Sequence, residues 1–196
     1  MNFLAHAYLS FNQPQLLAGN MISDFIKGRR QFDYAAGIQA GITLHRAIDE
    51  FTDFHPVTQQ AKEFFRPQYR LYSGPFIDIV YDHFLAIDKN EFATEQHLYQ
   101  FTQATYALLT AQEAELPPPF RQMLPYMKAQ NWLYNYRKPE GIRTSFQGLV
   151  RRAKYLNESD MAFSIFLGNY DSLKDCYHEF FPTLKQFVIE KMSSSS

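Results

Sequence analysis

The chain has 196 residues, 46% of them hydrophobic and 20% charged, which is the composition of one globular domain and excludes disordered, collagen-like and fibrous classes. Nineteen Lys and Arg against 20 Asp and Glu give a net charge of -1, which argues against a general nucleic-acid-binding surface. Aromatic residues reach 17%, 19 of them Phe and 13 Tyr, while the single cysteine, Cys176, excludes an internal disulfide and a four-cysteine zinc cage.

The opening MNFLAHAYLSFNQ has no basic leader, and no apolar run approaches the roughly 18 residues of a membrane span. A soluble, cytoplasmic protein is the expectation. Pro14 suits the first turn of a helix that Gly28 stops just after Lys27. A second helix is expected from about Tyr34 to Phe54, ended by Pro56, with Gly37 and Gly41 inside it either weakening it by roughly 1 kcal/mol each or implying close packing. Val57 to Phe65 suits a short helix, Ser73-Gly74-Pro75 reads as a turn, and Phe76 to Ile87 and Glu95 to Glu113 continue the helical period. Pro117 to Pro119 break the chain as a rigid connector. Helices follow over Phe120 to Tyr136, Ile142 to about Tyr155 and Asp171 to Met192, with a loop at Lys138 to Gly141. Strand-like alternation is scarce, so the expected fold is all-α, one helical domain over residues 1–192 with a frayed polar tail at 193–196.

Polar residues interrupt these apolar helices at a few points. In HRAIDEFTD, His45, Asp49 and Asp53 stand four residues apart and share one helical face. Imidazole and carboxylate one turn apart can take one divalent cation, although a salt-bridged surface explains the same spacing. IDIVYDHFL places Asp82 and His83 in an apolar run, with Asp78 one turn before Asp82; Asp82 fits a narrow solvated face as well as a buried position, where a carboxylate needs a partner or a metal. Adjacent side chains diverge by about 100° around a helix, so His83 reads as an acid, base or orienting group rather than a co-ligand. Asn20 and Asp24 lie one turn apart in GNMISDFIKG and can face an ion or its water; capping is the plainer explanation. His6 fits a core histidine or a site residue. Lys27, Arg29 and Arg30 would stand at the mouth of any site built on Asp24. Further basic clusters fall at Arg66 and Arg70 and at Arg143, Arg151, Arg152 and Lys154. Phosphate-loop, serine-hydrolase, dinucleotide and H-E-x-x-H motifs are absent, and Cys176 beside His178 does not by itself make a dyad.

MNFLAH, GN followed by DF (Asn20, Asp24, Phe25), HR-x-ID with TD (His45 to Asp53) and DHFL (Asp82 to Leu85) together resemble the acyl carrier protein phosphodiesterases, also called acyl carrier protein hydrolases. NWLYNYR, GLVRRAKYL and the late FFP extend the resemblance, and Tyr81 departs from the Trp expected before DHFL. The resemblance implies a helical bundle similar to the HD metal phosphohydrolases. It implies manganese-dependent hydrolysis, magnesium or another divalent ion being an alternative, of the phosphodiester between 4'-phosphopantetheine and a serine of holo acyl carrier protein, an activity belonging to fatty acid and lipid metabolism. In that scheme Asp24, His45, Asp49 and Asp82 are the expected metal ligands. His6 and His83 orient water or protonate the leaving group, Arg46 and Lys27 neutralise phosphate oxygens, and Asn20, Arg29 and Arg30 contact substrate. The expected partner is holo acyl carrier protein, with no nucleic acid and no membrane. The competing readings are a phosphohydrolase of nucleotides or other small phosphodiesters, and a non-catalytic helical module that binds an acidic partner.

Overall fold

In the computed structural model, which describes residues 1–194, twelve α-helices carry the fold and no strand occurs among the described residues. They are α1 (Phe3–Tyr8), α2 (Pro14–Ile22), α3 (Ala36–Phe54), α4 (Pro56–Glu63), α5 (Arg66–Tyr69), α6 (Ser73–Ile87), α7 (Glu95–Ala111), α8 (Pro118–Ala129), α9 (Trp132–Asn135), α10 (Pro139–Arg152), α11 (Asp160–Gly168) and α12 (Tyr170–Ser193). None of them is long and apolar enough to cross a membrane.

α6 is the central element. Phe76, Ile77, Val80, Tyr81, Phe84 and Leu85 are all at most 1% exposed, because α1, α4, α10 and α12 pack around it. The aromatic excess is consumed largely in this core. Phe65, Phe76, Phe146 and Phe166 form one chain of edge and stacked contacts, and Tyr81, Tyr177, Phe180 and Phe181 form another.

The most extensive helix pairing is between α2 and α3, and two glycines permit its close approach. A Cβ on Gly19 would lie 2.0 Å from the Ile38 carbonyl oxygen, and one on Gly41 would lie 2.3 Å from that of Leu16. This contact sets the site, because Asn20 follows Gly19 and His45 lies one turn after Gly41.

Several boundaries differ from the sequence expectations. α2 ends at Ile22 and gives way to a 3₁₀ turn at Ser23–Phe25, and a second 3₁₀ segment covers Gly28–Asp33. Ser73-Gly74-Pro75 and Pro139 are first turns of helices, where proline lacks nothing that the helix needs. The stretch 120–136 splits at Asn131, which adopts a left-handed conformation at φ 48°. α11 was not expected, nor was α1, a six-residue helix too short to persist alone. Ser193 closes α12 rather than belonging to a frayed tail, and Ser195 and Ser196 of that tail lie outside the described residues.

Candidate metal centre

α1, α2 and α3 converge on a cluster in which one ligand atom each from His6, His45 and Asp49 lies within 4.8 Å of the others. The spacing of His45 and Asp49 on α3 puts Nε2 of the first 3.0 Å from Oδ2 of the second. His6 arrives from α1: its Nε2 is 3.2 Å from Asp49 Oδ1, and its ring stacks on His45 at 3.9 Å between centroids and 14° between planes. Both histidines are buried, whereas the Asp49 side chain is 39% exposed and opens the cluster to solvent. Asp24 stands at the opening, 75% exposed, with Oδ1 3.2 Å from His45 Nε2.

Asn20 orients both imidazoles. Its side-chain oxygen lies 2.7 Å from His6 Nδ1 and its main-chain oxygen 2.7 Å from His45 Nδ1. The amide orientation follows from its other end, where Nδ2 donates to the His6 carbonyl at 2.9 Å and to Ser10 Oγ at 3.0 Å. Each Nδ1 therefore donates, and each Nε2 faces Asp49. Asn20, expected to contact substrate, is completely buried, and its side chain is spent on His6 and Ser10.

The donor set fits a divalent ion. Neutral His6 presents Nε2 to two further acceptors, Asp49 Oδ1 and the Met1 carbonyl oxygen, each at 3.2 Å, so three electron-rich atoms converge with no hydrogen between them. A cation resolves that arrangement, and two imidazole nitrogens with carboxylate oxygen suit a borderline to hard transition metal such as manganese.

Proton affinities follow the same geometry. Burial, reinforced by the charge of His45, lowers the His6 pKa to about 4. For His45 burial opposes protonation, but hydrogen bonds to Asp24 and Asp49 outweigh it and raise the pKa to about 9. Between those values the metal-free pair thus carries one positive charge, on His45, whose Nε2 then donates to Asp49 and Asp24. Burial raises the Asp49 pKa, yet the Met1 ammonium and the two histidines outweigh it and hold the carboxyl well below the usual range. The hydrogen bond from His45 lowers that of Asp24.

Two expected site residues are placed elsewhere. Asp82, fully buried, accepts the backbone N–H groups of Asn2, Leu4 and Ala5 at 3.3, 2.7 and 3.2 Å. It caps α1 from another helix and is not a member of the ligand cluster. Burial raises its pKa to about 7, against the pull of those three donors. His83 is also a core residue: Nδ1 donates to the Tyr136 carbonyl at 2.7 Å, and Nε2 is 2.9 Å from the Tyr170 hydroxyl. With both nitrogens engaged and 1% exposure, it cannot deliver a proton to the cluster. Asp53, the third acid on the α3 face, pairs with Lys62 Nζ at 2.8 Å.

Lys27, Arg29 and Arg30 are exposed on the turn that follows Asp24, and Arg46 donates to Gln31 on that turn instead of reaching the cluster. The sequence reading gave no role to Asp78, which lies 2.9 Å from the Met1 amine that also approaches Asp49 at 3.4 Å. The usable signal was its position one turn before Asp82.

The family model described as acyl carrier protein phosphodiesterase matches residues 1–184. Among curated proteins, an acyl carrier protein phosphodiesterase from Yersinia pestis is 31% identical over 184 residues, covering 94% of this chain and 95% of its own length. Those of Enterobacter sp. (strain 638) and Klebsiella pneumoniae subsp. pneumoniae are each 30% identical, covering 94% and 97% of this chain and 95% and 99% of theirs. No solved structure matches the chain.

Proposed function

Because the chain belongs to the acyl carrier protein phosphodiesterase family, we propose that it cleaves the phosphodiester between 4'-phosphopantetheine and a serine of holo acyl carrier protein. The products are apo acyl carrier protein and free 4'-phosphopantetheine. The observation that carries this reading is the convergence of His6 Nε2, His45 Nε2 and a carboxylate oxygen of Asp49, all within 4.8 Å of one another, with both Nδ1 atoms turned away onto Asn20.

His6, His45 and Asp49 would hold a divalent cation, manganese first and magnesium as the alternative. When bound, such an ion lowers the pKa of water toward neutrality and offsets charge on phosphate oxygens. Asn20 keeps both imidazoles in the tautomer that ligation requires. Asp24, ionised and open to solvent, is placed to take a proton from water entering the cluster. Asp82 serves indirectly, since its grip on residues 2 to 5 holds α1, and hence His6, against α6. Lys27, Arg29 and Arg30, which make no salt bridge among the described residues, present positive charge beside the opening, a surface that steers an acidic protein substrate at low ionic strength. A cytoplasmic location and a place in fatty acid metabolism follow from that substrate.

The test is incubation of holo acyl carrier protein with the protein and manganese, read by intact-mass spectrometry. Loss of the phosphopantetheine mass with manganese, and its retention with a chelator, supports the reading. An intact carrier alongside cleavage of a nucleotide panel would assign the site to small phosphodiesters. Carrier binding that survives chelation, with no turnover on any substrate, would make the protein a binding module.

A further inference from the structure

Between α9, α10 and the first residues of the chain lies a cavity of about 520 Å³, within the range of about 300–1,000 Å³ typical of small-molecule sites. His6, His45 and Asp49 do not line it, so an occupant is bound apart from the metal centre.

One wall carries charge. Arg151 and Arg152 are consecutive on α10, where neighbouring side chains diverge by about 100°. Even so, a guanidinium nitrogen of Arg152 lies 3.7 Å, and one of Arg151 3.9 Å, from the point where Gly148 would carry a Cβ. The two charged groups therefore stand side by side over the glycine one turn before them. Lys138 lines the same cavity, and among the described residues none of the three cations is in a salt bridge. Like charges held together repel, and an anion between them removes that cost. Crowding accounts for Gly19, Gly41 and Gly141, where an added Cβ would fall 2.0 to 2.3 Å from a carbonyl oxygen, but at Gly148 it would meet nothing closer than those guanidinium nitrogens. The φ of Gly148 is not positive either. Glycine weakens a helix interior, and its effect here is to leave room beside two guanidinium groups.

Other walls are aromatic and polar. Phe3 and Trp132, the only tryptophan in the chain, supply rings. The indole is oriented by Gln130, whose Oε1 accepts from Trp132 Nε1 at 2.9 Å, and Asn135 Nδ2 donates to the Gln130 carbonyl at 2.7 Å. Those bonds assign both amides and leave, among the described residues, Gln130 Nε2 as a donor and Asn135 Oδ1 as an acceptor, on two residues that line the cavity. An aromatic ring to stack on, with an amide donor and acceptor beside it, is the chemistry by which proteins take up a nucleobase.

We propose that this cavity binds a nucleoside monophosphate as a ligand rather than a substrate, the base against Trp132 and the phosphate on Arg151 and Arg152, and that its occupancy steadies the metal centre. The connection is the chain itself. Asn2 and Phe3 line the cavity, while Met1, one Cα step of about 3.8 Å from Asn2, brings its carbonyl to 3.2 Å from His6 Nε2 and its amine to 3.4 Å from Asp49. A ligand packed on residues 2 and 3 in this position favours that arrangement, and by linkage an ion at the centre favours the ligand by the same factor. The linkage rests on the metal centre proposed above; the binding does not.

Calorimetric titration of the metal-free protein with adenosine, guanosine, cytidine and uridine 5'-monophosphates should show saturable binding of at least one of them. The matching nucleoside and inorganic phosphate should each bind about tenfold more weakly or worse. Gly148→Leu should abolish binding without lowering the melting temperature, because leucine fills the space beside the guanidinium groups and favours the helix that glycine weakens. Arg152→Gln, at an exposed position, should weaken the nucleotide about tenfold and leave the nucleoside unaffected. In the wild-type protein saturating nucleotide should tighten manganese binding about fivefold, and the gain should vanish in Gly148→Leu, which separates it from ion binding by the nucleotide itself. Mass spectrometry should recover the nucleotide intact after incubation with manganese. No saturable binding of any of the four nucleotides, undiminished binding in a folded Gly148→Leu variant, or inorganic phosphate binding as tightly as the nucleotide overturns the site. Cleavage of the nucleotide overturns its role as a ligand, and manganese affinity that is equal with and without nucleotide overturns the linkage. Nucleotide binding in a protein that takes up no manganese keeps the site and removes the metal centre.

Discussion

Replacing Asn20 with alanine separates the orienting role of this residue from simple packing. The substitution deletes the acceptor of His6 Nδ1 at 2.7 Å and the donor to Ser10 Oγ at 3.0 Å, both fully buried, and leaves the His6 carbonyl with only the Ser10 hydroxyl, at 2.7 Å. One orphaned buried donor and two lost hydrogen bonds amount to about 3–5 kcal/mol. A domain with about 5–15 kcal/mol of stability tolerates that loss and melts about 6–20 °C lower. Metal affinity should fall about 10–100-fold, because His6 is then free to place its proton on Nε2, the atom required for ligation. Scanning calorimetry and isothermal titration with manganese measure the two effects. Ser10→Ala is the control, since it removes a neighbour of the amide without touching either imidazole; about 1 kcal/mol of stability and unchanged metal affinity are expected. Wild-type manganese affinity in Asn20→Ala, or equal losses in both variants, would refute the orienting role.

Asp49→Asn should abolish the stabilisation by manganese, which in the wild-type protein at a hundredfold excess over Kd amounts to about 2.7 kcal/mol, a shift of about 5–11 °C in thermal denaturation. In metal-free protein, His6 and His45 should together give a stability maximum near pH 6.5. The lowered pKa of His6 contributes stability that is present above 6.5 and lost as pH falls through about 4; the raised pKa of His45 contributes stability present below 6.5 and lost as pH rises through about 9. Denaturant titrations from pH 4 to 9 with a chelator test this, and a shallower alkaline limb in His45→Gln is the matching expectation, the remainder coming from the Met1 amine, whose pKa Asp78 and Asp49 raise to about 10 against its burial. Gly41→Ala should cost about 1–3 kcal/mol and weaken manganese binding as well, because the new methyl group pushes α3 and His45 away from Asn20; loss of stability with intact metal affinity would show that the α2–α3 distance does not govern the site.

How far the site could be read from the sequence depended on the range of each contact. His45 and Asp49 were legible because one helical turn fixes their separation whatever surrounds them. Asp82 and His83 carried the same signature, polar residues within an apolar helical run, yet one caps α1 and the other is a satisfied core histidine. A buried ligand, a buried cap and a buried hydrogen-bonded imidazole all answer one requirement, that a polar group removed from water must have a partner. Only the identity of the partner distinguishes them, and those partners lie 53 to 87 residues away.

The helical class, the position of α3, the shared face of His45 and Asp49 and the likeness to the phosphodiesterase family were determined by the sequence alone, through local periodicity, proline placement and short motifs. The entry of His6 into the candidate metal cluster, the double hold of Asn20 on two rings and the cavity beside Gly148 were decided by tertiary structure. Each depends on the close approach that Gly19 and Gly41 permit or on packing of the N-terminal residues against α6 and α10, and such approach is a property of surfaces in contact that no periodicity along one chain records.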